Sequence, residues 1–239
     1  MKVKIIPCLN DNYSYLIFHE NKNIGCVIDP GEADPIIKEI EKNNIKLQYI
    51  LNTHHHYDHV GGNKELKNRF HSKIIGFRGD KDRIPEIDIF VDNNQKWVEK
   101  NFEFEIYHVP GHTSGHICFY FYKEKIIFTG DTLFSLGCGR VFEGTHKQMF
   151  DSLRKLKNLP LDTKIYCGHE YTLQNSKFCE AQDGKNLKLK NKISEIKKRL
   201  EKGLPSVPTV LSDEIECNIF LKAKDVNSFS KLRDLKDNF

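Results

Sequence analysis

The chain has 239 residues, 38% hydrophobic and 11% aromatic, enough to pack one large domain or one medium domain plus a small one. Its charged fraction is 29% and its net charge only +4, which excludes the strong, clustered basic footprint that nucleic-acid binding needs. The opening MKVKIIPCLND carries no signal-peptide apolar region, no run is long enough to span a bilayer, and the seven cysteines are odd in number, scattered and free of any C-x-x-C pair; a soluble, cytoplasmic, monomeric protein without membrane partners or disulfides is expected.

Short strands dominate the first two thirds. They are expected at 3–7, 13–18, 25–28, 48–52, 73–77, 102–108, 117–122, 126–129 and 164–167. In the sixth of these, Phe102, Phe104 and Ile106 alternate with Glu103, Glu105 and Tyr107, the period-two pattern of a half-buried strand. Between the strands, Asp34-Pro35 starts a helix as cap and first position, with Ile36, Ile37 and Ile40 on one face. Thr145-x-x-Gln148 is a capping-box signature ahead of Met149, Leu153 and Leu156. After about residue 167 the texture changes to Lys-rich helical stretches near 187–202 and 225–238, separated by 203-GLPSVP-208. Charge runs such as Lys197-Lys198-Arg199 read as solvated helix faces. The pattern is an α/β core followed by a small helical domain.

The stretch 53-THHHYDHVGG-62 places four histidines and an aspartate in six consecutive positions. A helical H-E-x-x-H zinc site is excluded: His55 and His59 have the spacing, but position 56 is His rather than Glu. A loop at a strand end suits the segment better. There His54 and His56 can converge on one ion while Asp58 and His59 face another, with zinc, iron and manganese all acceptable to such ligands.

A histidine tract for loose metal capture would predict nothing elsewhere in the chain. Three further segments nevertheless share one grammar of strand, glycine and potential ligand: 109-VPGH-112, 128-FTGD-131 and 166-YCGH-169. They add His112, Asp131 and His169. Five His and two Asp exceed the four ligands of a closed structural zinc site, and two ions sharing a carboxylate explain them better. Asp131, alone in its motif, is the natural bridge. Two ions about 3.5–4 Å apart make a hydrolytic centre. His55 points away if its neighbours point in, and His116 reads as supporting or structural. His19, His71, His108 and His146 lack companions, and the cysteines read as packing residues.

H-x-H-x-D-H followed by separate G-H, G-D and G-H elements resembles the metallo-β-lactamase superfamily. Over nearly its whole length the chain is more specifically similar to the glyoxalase II family. The resemblance is carried by 11-DNYSYLI-17, 53-THHHYDHVGGN-63, 110-PGHTSGH-116, 129-TGDTLFSLGCGRVFEGT-145, 167-CGHEYTLQNSKF-178, 205-PSVPTVLSDEIECNIFLK-222 and 232-LRDLKDNF-239. It implies an α/β fold, the αβ/βα metallo-β-lactamase sandwich, as a catalytic domain over 1–169, with a small C-terminal helical domain over 170–239 that binds substrate.

The resemblance also implies roles. His54, His56 and His112 would hold one divalent metal and Asp58, His59 and His169 the other, with Asp131 and a hydroxide bridging. Asp58 and Asp131 would be the catalytic carboxylates, and zinc the first choice of metal ahead of iron or manganese. Glutathione-binding positions map to Arg140, Phe142, Tyr171, Arg233 and Lys236. Three positions depart from the family pattern: Phe142 stands where some members have Tyr, Ile219 where Pro is usual, and Val109 where Thr is common. None removes a metal ligand.

The implied reaction is hydrolysis of S-D-lactoylglutathione and other 2-hydroxyacyl-glutathione thioesters, as in methylglyoxal detoxification. A thioester suits such a centre because its leaving thiol, with a pKa of about 8.5, departs with little acid assistance. Neither G-x-S-x-G nor a placed Cys–His pair offers a covalent route. Arg233 and Lys236, three apart on a predicted helix, can hold an anionic tail, although basic residues there also complement a helix dipole. The competing readings are a one-iron persulfide dioxygenase, another hydrolase or a nuclease of the same fold, and a non-catalytic metal-binding module.

Overall fold

A computed structural model describes residues 1–99 and 101–239, with Glu20 described in its backbone alone. The chain forms two compact units, one of residues 1–108 with 115–119 and one of residues 109–114 with 120–239.

The first unit is built on a sheet of six strands in sequence order: β1 (Lys2–Cys8), β2 (Asn12–His19), β3 (Ile24–Ile28), β4 (Lys46–Leu51), β5 (Lys73–Phe77) and β6 (Ile89–Val91). The β1–β2 and β2–β3 pairs are antiparallel, and the pairs from β3 to β6 are parallel. Parallel neighbours need crossover connections, and helices fill them. Helix α1 (Asp34–Lys42) joins β3 to β4; α2 (Tyr57–Val60) and α3 (Asn63–Phe70) join β4 to β5. Ile36, Ile37 and Ile40 of α1 and Leu66 of α3 pack with Leu16, Val27, Ile50 and Ile74 of the sheet in one core. Each such side chain taken from water contributes about 1.5–3 kcal/mol. A hairpin of β7 (Lys96–Glu99) and β8 (Phe102–His108) completes the main elements, and Phe102, Phe104 and Ile106 are its buried side, as their alternation predicts.

Strand β9 (Ile117–Phe121), buried throughout, carries the chain from the first unit into the second. There β10 (Ile126–Gly130) pairs in parallel with β13 (Lys164–Cys167), and β13 pairs antiparallel with β14 (Thr209–Val210). Between β10 and β13 lie the short hairpin β11 (Leu133–Phe134) and β12 (Gly137–Cys138) and helix α4 (His146–Lys157). The capping box at Thr145 and Gln148 closes the start of α4, as its sequence signature predicts. Helices α5 (Thr172–Asp183), α6 (Leu187–Glu201), α7 (Leu211–Cys217), α8 (Ile219–Lys222) and α9 (Val226–Asp237) follow. Their core is aromatic: the rings of Phe150, Phe178, Phe220 and Phe229 lie 5.9–6.0 Å from their neighbours. The unit runs through the change of texture near residue 169 because β14, late in the chain, pairs with β13. Among the described residues no helix is long and apolar enough to cross a membrane.

Candidate metal centre

In the first unit the candidate ligands follow the C-terminal end of β4, which lies beside that of its parallel neighbour β3, the edge where open α/β sheets place their sites. Beyond β4, Asn52 and Asn63 are fully buried and exchange hydrogen bonds of 3.2 and 2.8 Å; Asn52 Nδ2 also donates to the carbonyl of His59 at 3.1 Å. This pair closes the segment into a compact loop. The loop is not irregular throughout: residues 57–60 form the single turn α2, so Asp58 and His59 are helical while His54, His55 and His56 precede the helix. That corrects the expectation of a plain loop, and the turn forms because Tyr57 to Val60 satisfy their own backbone, with Gly61 N donating to Tyr57 O at 2.7 Å.

Hydrogen bonds fix the imidazole tautomers. Asp29, which follows β3, accepts from Thr53 N and Thr53 Oγ1 at 2.7 Å each and from His59 Nδ1 at 3.0 Å. A carboxylate only accepts, so His59 Nδ1 carries a proton, and in the neutral ring Nε2 holds the lone pair. The Thr53 hydroxyl, having given its proton to Asp29, accepts from His54 Nδ1 at 3.0 Å, which leaves His54 Nε2 as an acceptor too. His54 Nε2 then lies 3.1 Å from His56 Nδ1, and His59 Nε2 lies 3.5 Å from Asp58 Oδ2. Asn12 Nδ2 steadies Asp58 through Oδ2 at 2.8 Å and its carbonyl at 3.1 Å.

The second unit repeats the logic with ligands from distant segments. Parallel pairing of β10 with β13 brings Asp131 and His169 to the same strand ends, and Gly168 N donates to Gly130 O at 2.9 Å. His112 enters from the 109–114 segment. Its Nδ1 lies 2.9 Å from the carbonyl of Arg140, which can only accept, so Nε2 again holds the lone pair. Asp131 Oδ2 is 3.4 Å from His112 Nε2 and 3.2 Å from His169 Nε2. The glycine at 139 serves this geometry: a Cβ there would lie 1.9 Å from the carbonyl oxygen of Asp131. His112, Asp131 and His169 are buried, as are His54 and His59.

The donor set fits divalent metals. Two ligands of one tetrahedral ion, each about 2.0–2.1 Å from it, stand about 3.3 Å apart. The separations of 3.1 and 3.5 Å in the first unit and 3.4 and 3.2 Å in the second bracket that value. With neutral imidazoles the His112–Asp131 and His59–Asp58 contacts pair acceptor with acceptor, an arrangement that a proton or a metal cation between the two atoms relieves. The outer hydrogen bonds from Asp29, Thr53 and the Arg140 carbonyl are the kind that orient metal-binding imidazoles. Asp29 also groups with His54 and His59 at ligand-like spacing, but its oxygens are already taken by Thr53 and His59. Sequence reasoning missed Asp29, Thr53 and Asn12. A strand-end Asp in 28-IDPG-31, parallel in grammar to 128-FTGD-131, was the available signal.

The five glutathione-type positions all belong to the second unit. Tyr171 stacks on His169 with ring centroids 4.7 Å apart and planes 3° from parallel. The Phe142 ring lies 5.1 Å from that of His112 and is mostly exposed. Arg140 is also exposed, its Nε 3.6 Å from Asp237 Oδ1. Arg233 is 3% exposed, and its two terminal nitrogens donate to Cys138 O and Asp237 Oδ1, both at 2.8 Å. Lys236 Nζ sits 5.5 Å from the rings of Phe178 and Phe239. Burial lowers the pKa of Lys236, and the neighbouring charges of Arg233 and Arg140 lower it further. All seven cysteines are buried, and none is in a disulfide. Burial pushes the thiols of Cys167 and Cys179 up to about 12 and that of Cys217 to about 11, so none of these three supplies a thiolate nucleophile near neutral pH.

Residues 9–169 match the metallo-beta-lactamase superfamily, and residues 170–239 match the hydroxyacylglutathione hydrolase C-terminus. A hydroxyacylglutathione hydrolase of Pelagibacter ubique is 64% identical over 239 residues, the whole of both chains. One from Nostoc punctiforme is 40% identical, again over 100% of each chain. Among solved structures, the BLEG-1 B3 metallo-beta-lactamase superposes with a TM-score of 0.73 at 21% identity, covering 93% of this chain and all of its own. ETHE1 from Myxococcus xanthus does so with a TM-score of 0.75 at 22% identity, covering 98% of this chain and 90% of its own. At such identities these two likenesses speak for the metallo-β-lactamase fold.

Proposed function

We propose, for a chain that belongs to the hydroxyacylglutathione hydrolase family of the metallo-β-lactamase superfamily, that it hydrolyses S-D-lactoylglutathione and related 2-hydroxyacyl-glutathione thioesters to glutathione and the free 2-hydroxy acid. In this reading residues 1–169 are the catalytic domain and residues 170–239 the substrate-binding domain. His54, His56 and His112 would hold one ion and Asp58, His59 and His169 the other, with Asp131 shared between them, and zinc would be preferred to iron or manganese. The protein acts as a cytoplasmic monomer.

Bound divalent ions supply a water that is nucleophilic near neutral pH and an electrophile for the carbonyl oxygen. The protein does the rest. Asp29, Thr53 and the Arg140 carbonyl hold three imidazoles in the tautomer that presents Nε2. Asp58 and Asp131 keep their carboxylates within 3.5 Å of those histidines and help to orient the attacking water. Arg140, Arg233 and Lys236 form a cationic group suited to the carboxylates of glutathione, and the exposed ring of Phe142 and that of Tyr171 give its backbone an apolar wall. Water adds to the thioester carbon, the C–S bond breaks, and the sulfur leaves as thiolate with little need of an acid. The raised thiol pKa values of Cys167, Cys179 and Cys217 argue against these three as carriers of the acyl group.

One observation carries the reading furthest: a single oxygen of Asp131 stands at ligand-to-ligand distance from both His112 and His169. The test sets thioester hydrolysis with S-D-lactoylglutathione beside oxygen uptake with glutathione persulfide. Rapid hydrolysis without oxygen uptake supports the proposal. Oxygen consumption with one iron per chain would replace it with a dioxygenase.

A further inference from the structure

His55 is the one histidine of 54-HHHYDH-59 that the proposed function assigns to neither ion. Its Nδ1 lies 3.5 Å from Oδ2 of Asp80. Asp80 is fully buried, and Arg83 Nη2 donates to its Oδ1 at 2.5 Å. Its backbone carbonyl accepts from Arg83 N and Ile84 N at 2.9 Å each, so the residue sits in a tight, self-satisfied turn. A carboxylate taken wholly out of water is costly even when paired, and an apolar side chain would fill the same space more favourably. The place of this carboxylate in the fold is therefore read from what it touches.

A Cβ at Gly115 would lie 1.9 Å from Asp80 Oδ1, so only glycine lets the backbone at 115 rest on the carboxylate. The next residue, His116, is fully buried and stacks on His54 with centroids 4.7 Å apart and planes at 21°. Ile117 N, one residue further, donates to Thr53 O at 2.8 Å. Asp80 thus meets the 53–56 loop twice, directly through His55 and indirectly through Gly115 and His116. The His54 ring is held between Thr53 at Nδ1 and His116 against its face.

We propose that Asp80 is a positioning residue: through His55 and Gly115 it fixes the 53–56 loop so that His54 Nε2 and His56 Nδ1 converge, and so it sets the affinity of the ion they hold. This rests on the assignment of His54 and His56 to a metal. The expected effect has the size seen for outer partners of metal ligands, about 10- to 100-fold in affinity.

The test measures zinc dissociation constants by chelator competition, visible spectra of the cobalt-loaded protein, and the Tm of the metal-free protein, for wild type, Asp80→Asn and His55→Phe. His55→Phe keeps the Asp80–Arg83 pair, and it carries the test by itself if Asp80→Asn does not fold. Expected are weaker zinc binding by about 10- to 100-fold and an altered cobalt spectrum in both variants. The metal-free Tm of His55→Phe should stay within about 3 °C of wild type. Wild-type zinc affinity in His55→Phe overturns the inference, and so does a loss that merely follows a matching fall in metal-free Tm. A wild-type protein that binds no zinc contradicts the functional proposal instead.

Discussion

The two halves of the proposed ligand set are built differently. His54, His56, Asp58 and His59 come from six consecutive residues; Thr53 on His54 and the Asn52–Asn63 pair close their loop, and Asn12, Asp29 and His116 add contacts from elsewhere in the chain. His112, Asp131 and His169 come from three segments and depend on partners far away in sequence. The hairpin that leads from Asp131 to Arg140 is gripped along its backbone by later helices. Asn175 donates to Ser135 O at 3.2 Å, Glu214 accepts from Leu136 N at 2.8 Å, Asn218 donates to Gly137 O at 3.0 Å, and Arg233 donates to Cys138 O at 2.8 Å. The consecutive half is closed by its own loop, and the assembled half leans on helices that follow it in the chain.

This contrast can be broken at several points. The largest effect belongs to Asp131→Ala, which removes the carboxylate shared by two histidines of the assembled half. Thioesterase activity should fall by about a thousandfold or more, with loss of paired metal binding, read by kinetics and metal analysis together. Full activity would defeat the bridging role.

Next comes Glu214→Ala. Glu214 is fully buried and accepts from Thr209 Oγ1 at 2.7 Å and Asn218 Nδ2 at 3.1 Å as well as from Leu136 N. Its loss strands those donors and opens a cavity, so urea unfolding should show about 2–4 kcal/mol of destabilisation. Activity should weaken through the displaced hairpin while the first-unit loop is spared. An unchanged unfolding midpoint would show that the hairpin does not need this grip.

Arg233→Ala should raise KM for glutathione thioesters about tenfold or more, since a charge-assisted contact is worth about 1.5–3 kcal/mol, and should also loosen the hairpin that Arg233 holds at Cys138 O. An unchanged KM would confine Arg233 to its contacts with Cys138 and Asp237. The smallest effect is a pH dependence. Lys236 is cationic below its pKa, which burial and then Arg233 and Arg140 hold beneath the ordinary lysine value of 10.5. Its attraction for a carboxylate is therefore full at neutral pH and is lost as pH rises through that lowered value. KM, corrected for spontaneous hydrolysis, should climb before pH reaches the ordinary lysine range, by about three- to tenfold, and Lys236→Met should flatten the climb. Equal slopes in the two proteins would exclude Lys236 from the binding group.

Legibility in the sequence followed the same divide. Strands with strong apolar runs or clean alternation, such as Lys73–Phe77, Phe102–His108 and Lys164–Cys167, were expected at the positions found. Helix α5 was not expected, because its buried residues include Thr172, Asn175 and Ser176, polar groups that pack by hydrogen bonding and blur the apolar period. The polar helix α3 has only Asn63 and Leu66 buried, and β7 is largely exposed, so neither carried a signal. At the centre, the ligand types and their glycine-preceded motifs were readable. The tautomer-fixing role of Asp29 was not, since a lone strand-end Asp acquires meaning only once β3 and β4 lie side by side. Arg233 shows the other limit: spacing put it beside Lys236 on one helix, but burial and its hold on Cys138 depend on tertiary contacts.

The central claim of the proposed function is that a pair of bound divalent ions drives thioester hydrolysis. The most direct test is stepwise zinc titration of the metal-free protein, with bound metal and S-D-lactoylglutathione hydrolysis followed on the same sample. The account predicts two equivalents bound per chain, with hydrolysis rising as they bind and negligible without them. Saturation at one equivalent, or hydrolysis undiminished in the metal-free protein, would contradict it.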